Sequence, residues 1–214
     1  MKKPTVPVAK EGVPFIAFAA LLSLVLAVLQ YSLLSFAALT LTAFVLYFFR
    51  DPERIACDDE DALISPADGK VILIEKVFDE RYVKEHVYKI SIFMNVFNVH
   101  VNRVPFPGKV RKVIYTPGTF YSANTEKSSL GNESCAVVLE IADGKKMAFV
   151  QIAGLIARRI VCWAVRGDEL TKGERFGLIR FGSRVDLYLP LQTQLEISKG
   201  QKVRAGETIL GYLS

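Results

Sequence analysis

Hydrophobic and polar residues are distributed unevenly along this chain of 214 residues. Residues 12–49 include no Asp, Glu, Lys or Arg. As one helix, this segment would be about 57 Å long, nearly twice the roughly 30 Å hydrocarbon core of a bilayer. Because polar residues interrupt it near its middle, the pattern predicts two short helices, at about residues 13–29 and 33–49. We expect them to form a membrane hairpin that either spans the bilayer or re-enters it.

Basic residues flank this hairpin on both sides. Lys2, Lys3 and Lys10 precede it, and Arg50 and Arg54 follow it. Since positive charge marks the cytoplasmic side of membrane segments, we expect both ends of the hairpin to face the cytoplasm. This places the protein in the cell membrane, with the domain after the hairpin on the cytoplasmic face. A cleaved signal peptide is the alternative, but its apolar region would be only about 7–15 residues long.

The remaining chain, residues 50–214, predicts a β domain. Short runs rich in β-branched and aromatic residues alternate there with Gly and Pro, which is typical of strands and turns. The runs are residues 70–77, 87–93, 108–115, 136–141, 146–152, 160–165, 184–189 and 202–213. The pair Asp143-Gly144 between two of them predicts a hairpin. We therefore expect a mostly β, antiparallel domain resembling a barrel-sandwich hybrid, preceded by the N-terminal hydrophobic helical hairpin.

Composition excludes several classes of protein. A hydrophobic content of 51% is too high for a disordered chain, and a net charge of +5 is too small to indicate nucleic-acid binding. The three cysteines are too scattered for a disulfide framework, and no Cys/His cluster has the spacing of a metal site. We therefore expect no metal and no nucleic-acid partner.

Spacing alone indicates few residues with catalytic potential. His100 alternates with Asn98 and Asn102, so the three share one face of a predicted strand. A solvated strand face explains this pattern as well as a functional site does. Asp68 precedes Gly69, which also suits an ordinary turn. A glycine-rich segment, residues 173–185, is the most unusual, although it has no nucleophile-elbow, phosphate-loop or dinucleotide motif.

Together, several motifs resemble the phosphatidylserine decarboxylase proenzymes, in particular their short, archaeal-type form. The motifs are FFRDPER at residues 48–54, SPADG at 65–69, HVNRVP at 100–105, YTPG at 115–118 and FGS at 181–183. They occur in the expected order and cover nearly the whole chain. Each motif alone is unspecific, whereas the combination is specific.

The resemblance implies a self-processing carboxy-lyase. Members of the family cut themselves at a Gly-Ser bond, so Ser183 would attack the carbonyl of Gly182 and become a covalent pyruvoyl group. The products, residues 1–182 and 183–214, would stay together as a heterodimer, with further oligomerisation open. The pyruvoyl carbonyl would form a Schiff base with the amine of phosphatidylserine, and loss of CO₂ would give phosphatidylethanolamine.

The resemblance also implies roles for individual residues. The family uses an Asp-His-Ser triad in self-cleavage, and Asp68, His100 and Ser183 match it. Longer members carry a second histidine where this chain has Arg103, so whether His100 serves both self-cleavage and decarboxylation stays open. Arg184 replaces a common threonine. Both arginines become candidate substrate-binding residues, because guanidinium groups hold phosphate and carboxylate well.

Two alternatives remain at the level of sequence. The same chemistry could act on archaetidylserine or another serine phospholipid, because no residue here selects the glycerol backbone. The other alternative is a membrane-anchored barrel-sandwich adaptor without catalysis, which predicts an uncut chain.

Overall fold

The computed structural model describes residues 7–118, 131–141, 144–154, 159–180 and 183–213. Strands make up 42% of the chain and helices 20%, and the N-terminal segment contains an apolar helix. Both findings confirm the predicted fold class. The chain divides into two compact units, Met1–Glu53 and Arg54–Ser214.

The first unit contains an apolar helical hairpin. Its elements are a 3₁₀ turn at Lys10–Gly12, helix α1 at Val13–Val28 and helix α2 at Ser32–Phe48. The chain reverses at Gln30, whose φ of 61° lies in the left-handed region. Where the helices pack together, the hydroxyl groups of Ser23 and Thr42 lie 3.1 Å apart and form a hydrogen bond. Small and hydroxyl-bearing residues at such a contact let two helices approach closely.

Large apolar side chains cover the outside of this hairpin. Leu33 is 81% exposed and Phe36 is 69% exposed, and many neighbours on both helices are similar. A helix that is apolar on all sides suits an apolar solvent better than water. By length and composition, the helical segment Lys10–Val28 could cross a membrane, whereas α2 is shorter.

Among the described residues, the second unit contains fourteen antiparallel strands. They are β1 (Ala62–Ile64), β2 (Gly69–Phe78), β3 (His86–Met94), β4 (Val101–Arg103), β5 (Gly108–Thr116), β6 (Ser134–Glu140), β7 (Lys146–Ala153), β8 (Ile160–Cys162), β9 (Glu169–Leu170), β10 (Arg175–Ile179), β11 (Ser183–Pro190), β12 (Gln194–Leu195), β13 (Lys202–Val203) and β14 (Ile209–Tyr212). An eight-stranded sheet has the order β13-β2-β3-β11-β7-β6-β5-β9. Two three-stranded sheets have the orders β4-β10-β8 and β1-β14-β12.

The main core lies on one face of the large sheet, called the inner face below. Alternate residues of its strands, such as Ile92, Phe149 and Leu187, are fully buried in this core. The opposite face, called the outer face, carries smaller apolar clusters that include Val150 and Tyr188. Because side chains alternate along a strand, the register of each strand decides which polar residues enter the inner face.

Most strands agree with the sequence prediction, and the exceptions have physical reasons. The predicted run 202–213 is two short strands, β13 and β14, separated by a turn in which Gly206 has a φ of 80°. Strand β4 overlaps the strand predicted around His100. Strands β1, β9, β10 and β12 were not predicted, because they are very short or because polar and glycine residues interrupt their apolar pattern. In the predicted Asp143-Gly144 hairpin, Asp143 lies outside the described residues, and Gly144 has a φ of 70°.

Candidate active site

Ser183 is the first residue of β11, a central strand of the large sheet. It pairs with Met94, the last residue of β3, and with Ala153, the last residue of β7, so three strand ends meet there. The side chain is fully buried and lies on the inner face, two residues before Val185 of the core. Its hydroxyl donates to the sulfur of Met94 at 3.4 Å, a weak acceptor. Gly182 lies outside the described residues.

His100 is also fully buried and lies just before β4. Its carbonyl oxygen accepts a hydrogen bond from the N–H of Ile179 at 3.3 Å, which places it beside the end of β10, shortly before Ser183 in the chain. The ring Nδ1 lies 2.9 Å from the carbonyl oxygen of Asn98. Because a carbonyl only accepts, Nδ1 carries the proton, and the lone pair of the neutral ring is on Nε2. A histidine in this tautomer can act as a base through Nε2.

Asp68 is held by an arginine and by a backbone N–H of distant segments. Both of its carboxylate oxygens accept hydrogen bonds from the guanidinium of Arg54, at 2.5 and 2.9 Å. One oxygen also accepts the backbone N–H of Ala205 at 2.8 Å. One hydrogen-bond partner of the His100 ring is the carbonyl of Asn98. Asp68 is thus the centre of a buried hydrogen-bond network that joins distant segments of the second unit.

The segment that carries Asp68 nevertheless lies at the same end of the large sheet as Ser183. Gly69 packs so closely against Phe93, the neighbour of Met94, that a Cβ on it would be 2.1 Å from the Phe93 carbonyl oxygen. The carbonyl of Pro66 accepts the backbone N–H of Arg103 in β4 at 2.9 Å. The structure therefore gathers the segments of all three triad candidates at one end of the domain.

The two arginine candidates occupy different surroundings. Arg103 is buried and donates from its guanidinium to the carbonyl of Gly173 at 3.0 Å. Arg184 forms a fully buried ion pair with Asp186, with nitrogen–oxygen distances of 2.7 and 2.9 Å. Because residues alternate along β11, Arg184 lies on the outer face, opposite to the side chain of Ser183.

Asn102 and Gln151 form a pair of buried amides that the sequence did not predict. Asn102 donates to the sulfur of Met94 at 3.6 Å, the same sulfur that accepts from Ser183. Gln151 donates from Nε2 to the Oδ1 of Asn102 at 2.9 Å. The signal was present at Gln151, which is a polar residue inside the otherwise apolar run of β7. Its partner lies 49 residues away, so spacing could not reveal the contact.

Two cysteines also meet close to this end of the sheet. Cys135 pairs in register with Gln151, and Cys162 pairs with Gly177. The thiol of Cys162 donates to the carbonyl of Ala164 at 3.8 Å. The interaction between the two thiols raises the pKa of Cys135, as burial also does, and lowers the pKa of Cys162. Within the part of the chain that the structure describes, no group of three or more His, Cys, Asp or Glu residues could hold a metal ion.

Comparisons with known proteins agree with the arrangement. The phosphatidylserine decarboxylase family matches residues 41–211. Over 213 residues and the full length of both chains, this chain is 62% identical to the phosphatidylserine decarboxylase proenzyme of Desulfotalea psychrophila. It is 51% identical to the proenzyme of the same description from Geotalea uraniireducens and 50% identical to that from Syntrophotalea carbinolica, again over the full lengths.

In this antiparallel fold, a buried serine at the start of a central strand and a buried histidine nearby form a site suited to serine chemistry away from water. This site and the matches over the full length of the chain together define the class of protein. The chain belongs to the phosphatidylserine decarboxylase family. This confirms the resemblance at the level of the family.

Proposed function

We propose that this chain cuts itself between Gly182 and Ser183 and then decarboxylates phosphatidylserine to phosphatidylethanolamine. The observation that carries this proposal is the position of Ser183, fully buried where β3, β7 and β11 meet. Membership of a carboxy-lyase family and the proenzyme description of the relatives support it. A non-catalytic adaptor would have no need of a buried hydroxyl at this point.

The residues around Ser183 fit a pyruvoyl group formed in place. The side chain is buried beside the main apolar core, and its hydroxyl donates to a thioether rather than to a strong acceptor. It can therefore be redirected toward the carbonyl on its own N-terminal side at little cost in hydrogen bonding. Once formed, a pyruvoyl group supplies a carbonyl that binds an amine and withdraws electrons as CO₂ leaves.

His100 is the proposed base in self-cleavage. Serine is a poor nucleophile until a base removes its proton, and the Nε2 of His100 has the lone pair for this. The carbonyl of Asn98 holds the ring in this tautomer, which is the role that aspartate takes in a triad. We assign Asp68 a positioning role, because its carboxylate joins Arg54 to the backbone of Ala205.

Of the two basic candidates, Arg103 is the better placed to hold a lipid phosphate. It lies in β4, three residues after His100, whereas Asp186 neutralises Arg184 on the outer face. We propose further that the protein is of the short, archaeal-type form, that its two product chains remain a heterodimer, and that the domain faces the cytoplasm from the membrane. Equal lengths of this chain and its relatives support the short form.

Replacement of the proposed nucleophile tests the function. Ser183→Ala should remain one uncut chain with no release of CO₂ from phosphatidylserine vesicles, while wild type separates into two chains on a denaturing gel. Ser91→Ala is a matched control, since Ser91 is also a fully buried serine, on the neighbouring strand β3. It should cut normally. Intact-mass measurement shows the cut and the pyruvoyl group together, and an uncut wild type that still decarboxylates would refute the proposal.

A further inference from the structure

The inner face of the large sheet has a polar interruption at one end. Along β7, the inner-face residues Met147, Phe149 and Ala153 are apolar, while Gln151 between them is an amide. Its side chain is fully buried. Gly177 leaves room for it and for the neighbouring backbone, because a Cβ at Gly177 would lie 2.7 Å from the Nε2 of Gln151 and 2.4 Å from the carbonyl oxygen of Val161. The fold thus accommodates a buried amide where an apolar side chain would continue the core.

The two ends of this amide differ. Nε2 donates to the Oδ1 of Asn102 at 2.9 Å. Oε1 is buried and has no hydrogen-bond partner among the described residues. A buried acceptor without a partner is unfavourable, so its presence calls for an explanation, and a ligand that donates a hydrogen bond is one.

A short chain of contacts connects Gln151 to Ser183. Asn102 accepts from Gln151 and donates to the sulfur of Met94, which also accepts the hydroxyl hydrogen of Ser183. In the sheet, Gln151 pairs with Val185, two residues beyond Ser183 on the same face. The unpartnered oxygen is therefore close to the position where the proposed carbonyl forms.

We propose that Oε1 of Gln151 accepts a hydrogen bond from the amino group of the serine headgroup as it approaches position 183. This inference rests on the proposed function. The carboxylate and the phosphodiester of that headgroup only accept hydrogen bonds, so the amino group is its one donor. Gln151 thus selects primary-amine lipids, and Asn102 holds the amide with its oxygen toward the ligand.

Covalent capture of an amine tests this inference without measuring turnover. The probe is short-chain phosphatidylethanolamine, a primary amine that has no carboxylate to lose. Processed full-length protein in detergent is incubated with the lipid and cyanoborohydride, and the adduct on the 183–214 chain is measured by intact mass. A hydrazide reagent, which reacts with the carbonyl without needing the amide, gives the carbonyl content by which each adduct is divided.

The variants distinguish the loss of a hydrogen-bond acceptor from a change in packing. Gln151→Met keeps the shape but has no oxygen, and it should lower the adduct per carbonyl about tenfold or more, as expected for a lost hydrogen bond to a charged donor. Gln151→Glu keeps an acceptor and should equal or exceed wild type. Gln194→Met makes the same change at an exposed glutamine and should have no effect.

Each result has one meaning. Equal adduct in Gln151→Met and wild type overturns the inference, as does an equal fall in Gln151→Met and Gln151→Glu, which would indicate packing alone. If Gln151→Met does not process, Gln151→Glu decides, and a tenfold fall there overturns the inference. A wild-type protein with no carbonyl by hydrazide contradicts the proposed function itself, which distinguishes that failure from the failure of the role of Gln151.

Discussion

Arg54 makes buried contacts that we expect to be important for the stability of the second unit. Its side chain is 8% exposed, and it holds both oxygens of Asp68 as well as the carbonyl of Ala205. If Arg54 is replaced, the buried carboxylate keeps, among the described residues, one backbone donor, the N–H of Ala205. Breaking such a pair from one side is far more costly than losing the pair as a whole.

We therefore expect Arg54→Ala to lower the free energy of unfolding by about 3 kcal/mol or more. The matched control is Arg204→Ala, because Arg204 is 76% exposed and its oxygen–nitrogen distance to Glu207 is 3.7 Å. That surface pair should contribute less than about 1 kcal/mol. Denaturant unfolding of the two variants in the same detergent measures both, and equal losses would contradict the importance of the buried pair.

The pair of thiols predicts an unusual reactivity at Cys162. The interaction with the thiol of Cys135 lowers the pKa of Cys162, so we expect Cys162 to ionise before Cys135. In a Cys57→Ala background, the iodoacetamide reaction should therefore label Cys162 first, with a half-maximal rate below the ordinary thiol pKa. Adding Cys135→Ala should move that midpoint to higher pH. A midpoint that stays unchanged would show that this interaction has no influence.

The sequence identifies candidate residues better than it identifies their partners. Asp68, His100 and Ser183 could be found because they lie in motifs. The contacts of Asp68 with Arg54 and with Ala205, 137 residues away, could not, because local spacing contains no information on which segments the fold brings together. For the same reason Asn102 was noticed only as part of an alternating face, without Gln151.

Strand β2 begins with a glycine that the sheet requires. A Cβ on Gly69 would lie 2.1 Å from the carbonyl oxygen of Phe93, which is backbone and cannot move aside. Gly69→Ala should therefore displace the start of β2 from β3, beside Met94 and Ser183, and we expect it to leave most of the chain uncut on a denaturing gel.

Gly144→Ala is the contrasting control for that substitution. Gly144 has a φ of 70° and open space around it, so alanine there costs only backbone strain, of the order of 1 kcal/mol. Normal cutting of Gly144→Ala with failed cutting of Gly69→Ala would support the steric account. Normal cutting of both would contradict it.

At the scale of elements, periodicity was reliable wherever a strand was long and apolar. The helices could be predicted from their long uncharged apolar runs, and β3, β6, β7 and β11 because most of each strand is buried. Strands β2 and β5 are more exposed and could be predicted from their β-branched residues. Strands of two or three residues, such as β9 and β12, are formed by pairing with a neighbour and have no pattern of their own. Strand β10 contains Gly177, where a Cβ would lie 2.4 Å from the carbonyl oxygen of Val161 and 2.7 Å from the Nε2 of Gln151, neighbours that local spacing does not reveal.

In the whole second unit, the residues after the proposed cut are interleaved with those before it. Strand β11 pairs with β3 on one side and β7 on the other, β13 pairs with β2, and β14 pairs with β1. We expect the 183–214 chain to remain bound through gel filtration in detergent and to separate only when the domain unfolds in denaturant. Release of the short chain while the long chain keeps its native circular dichroism would contradict this expectation.

The central place of β11 has a consequence for the order of events during biosynthesis. Ser183 has its buried position only when β3 and β7, which precede it in the chain, are paired with β11. If the proposed self-cleavage needs this environment, a truncated or misassembled molecule would keep its peptide bond. Cleavage would then act as a check on folding, and the proposed carbonyl would form only in copies whose assembly is complete.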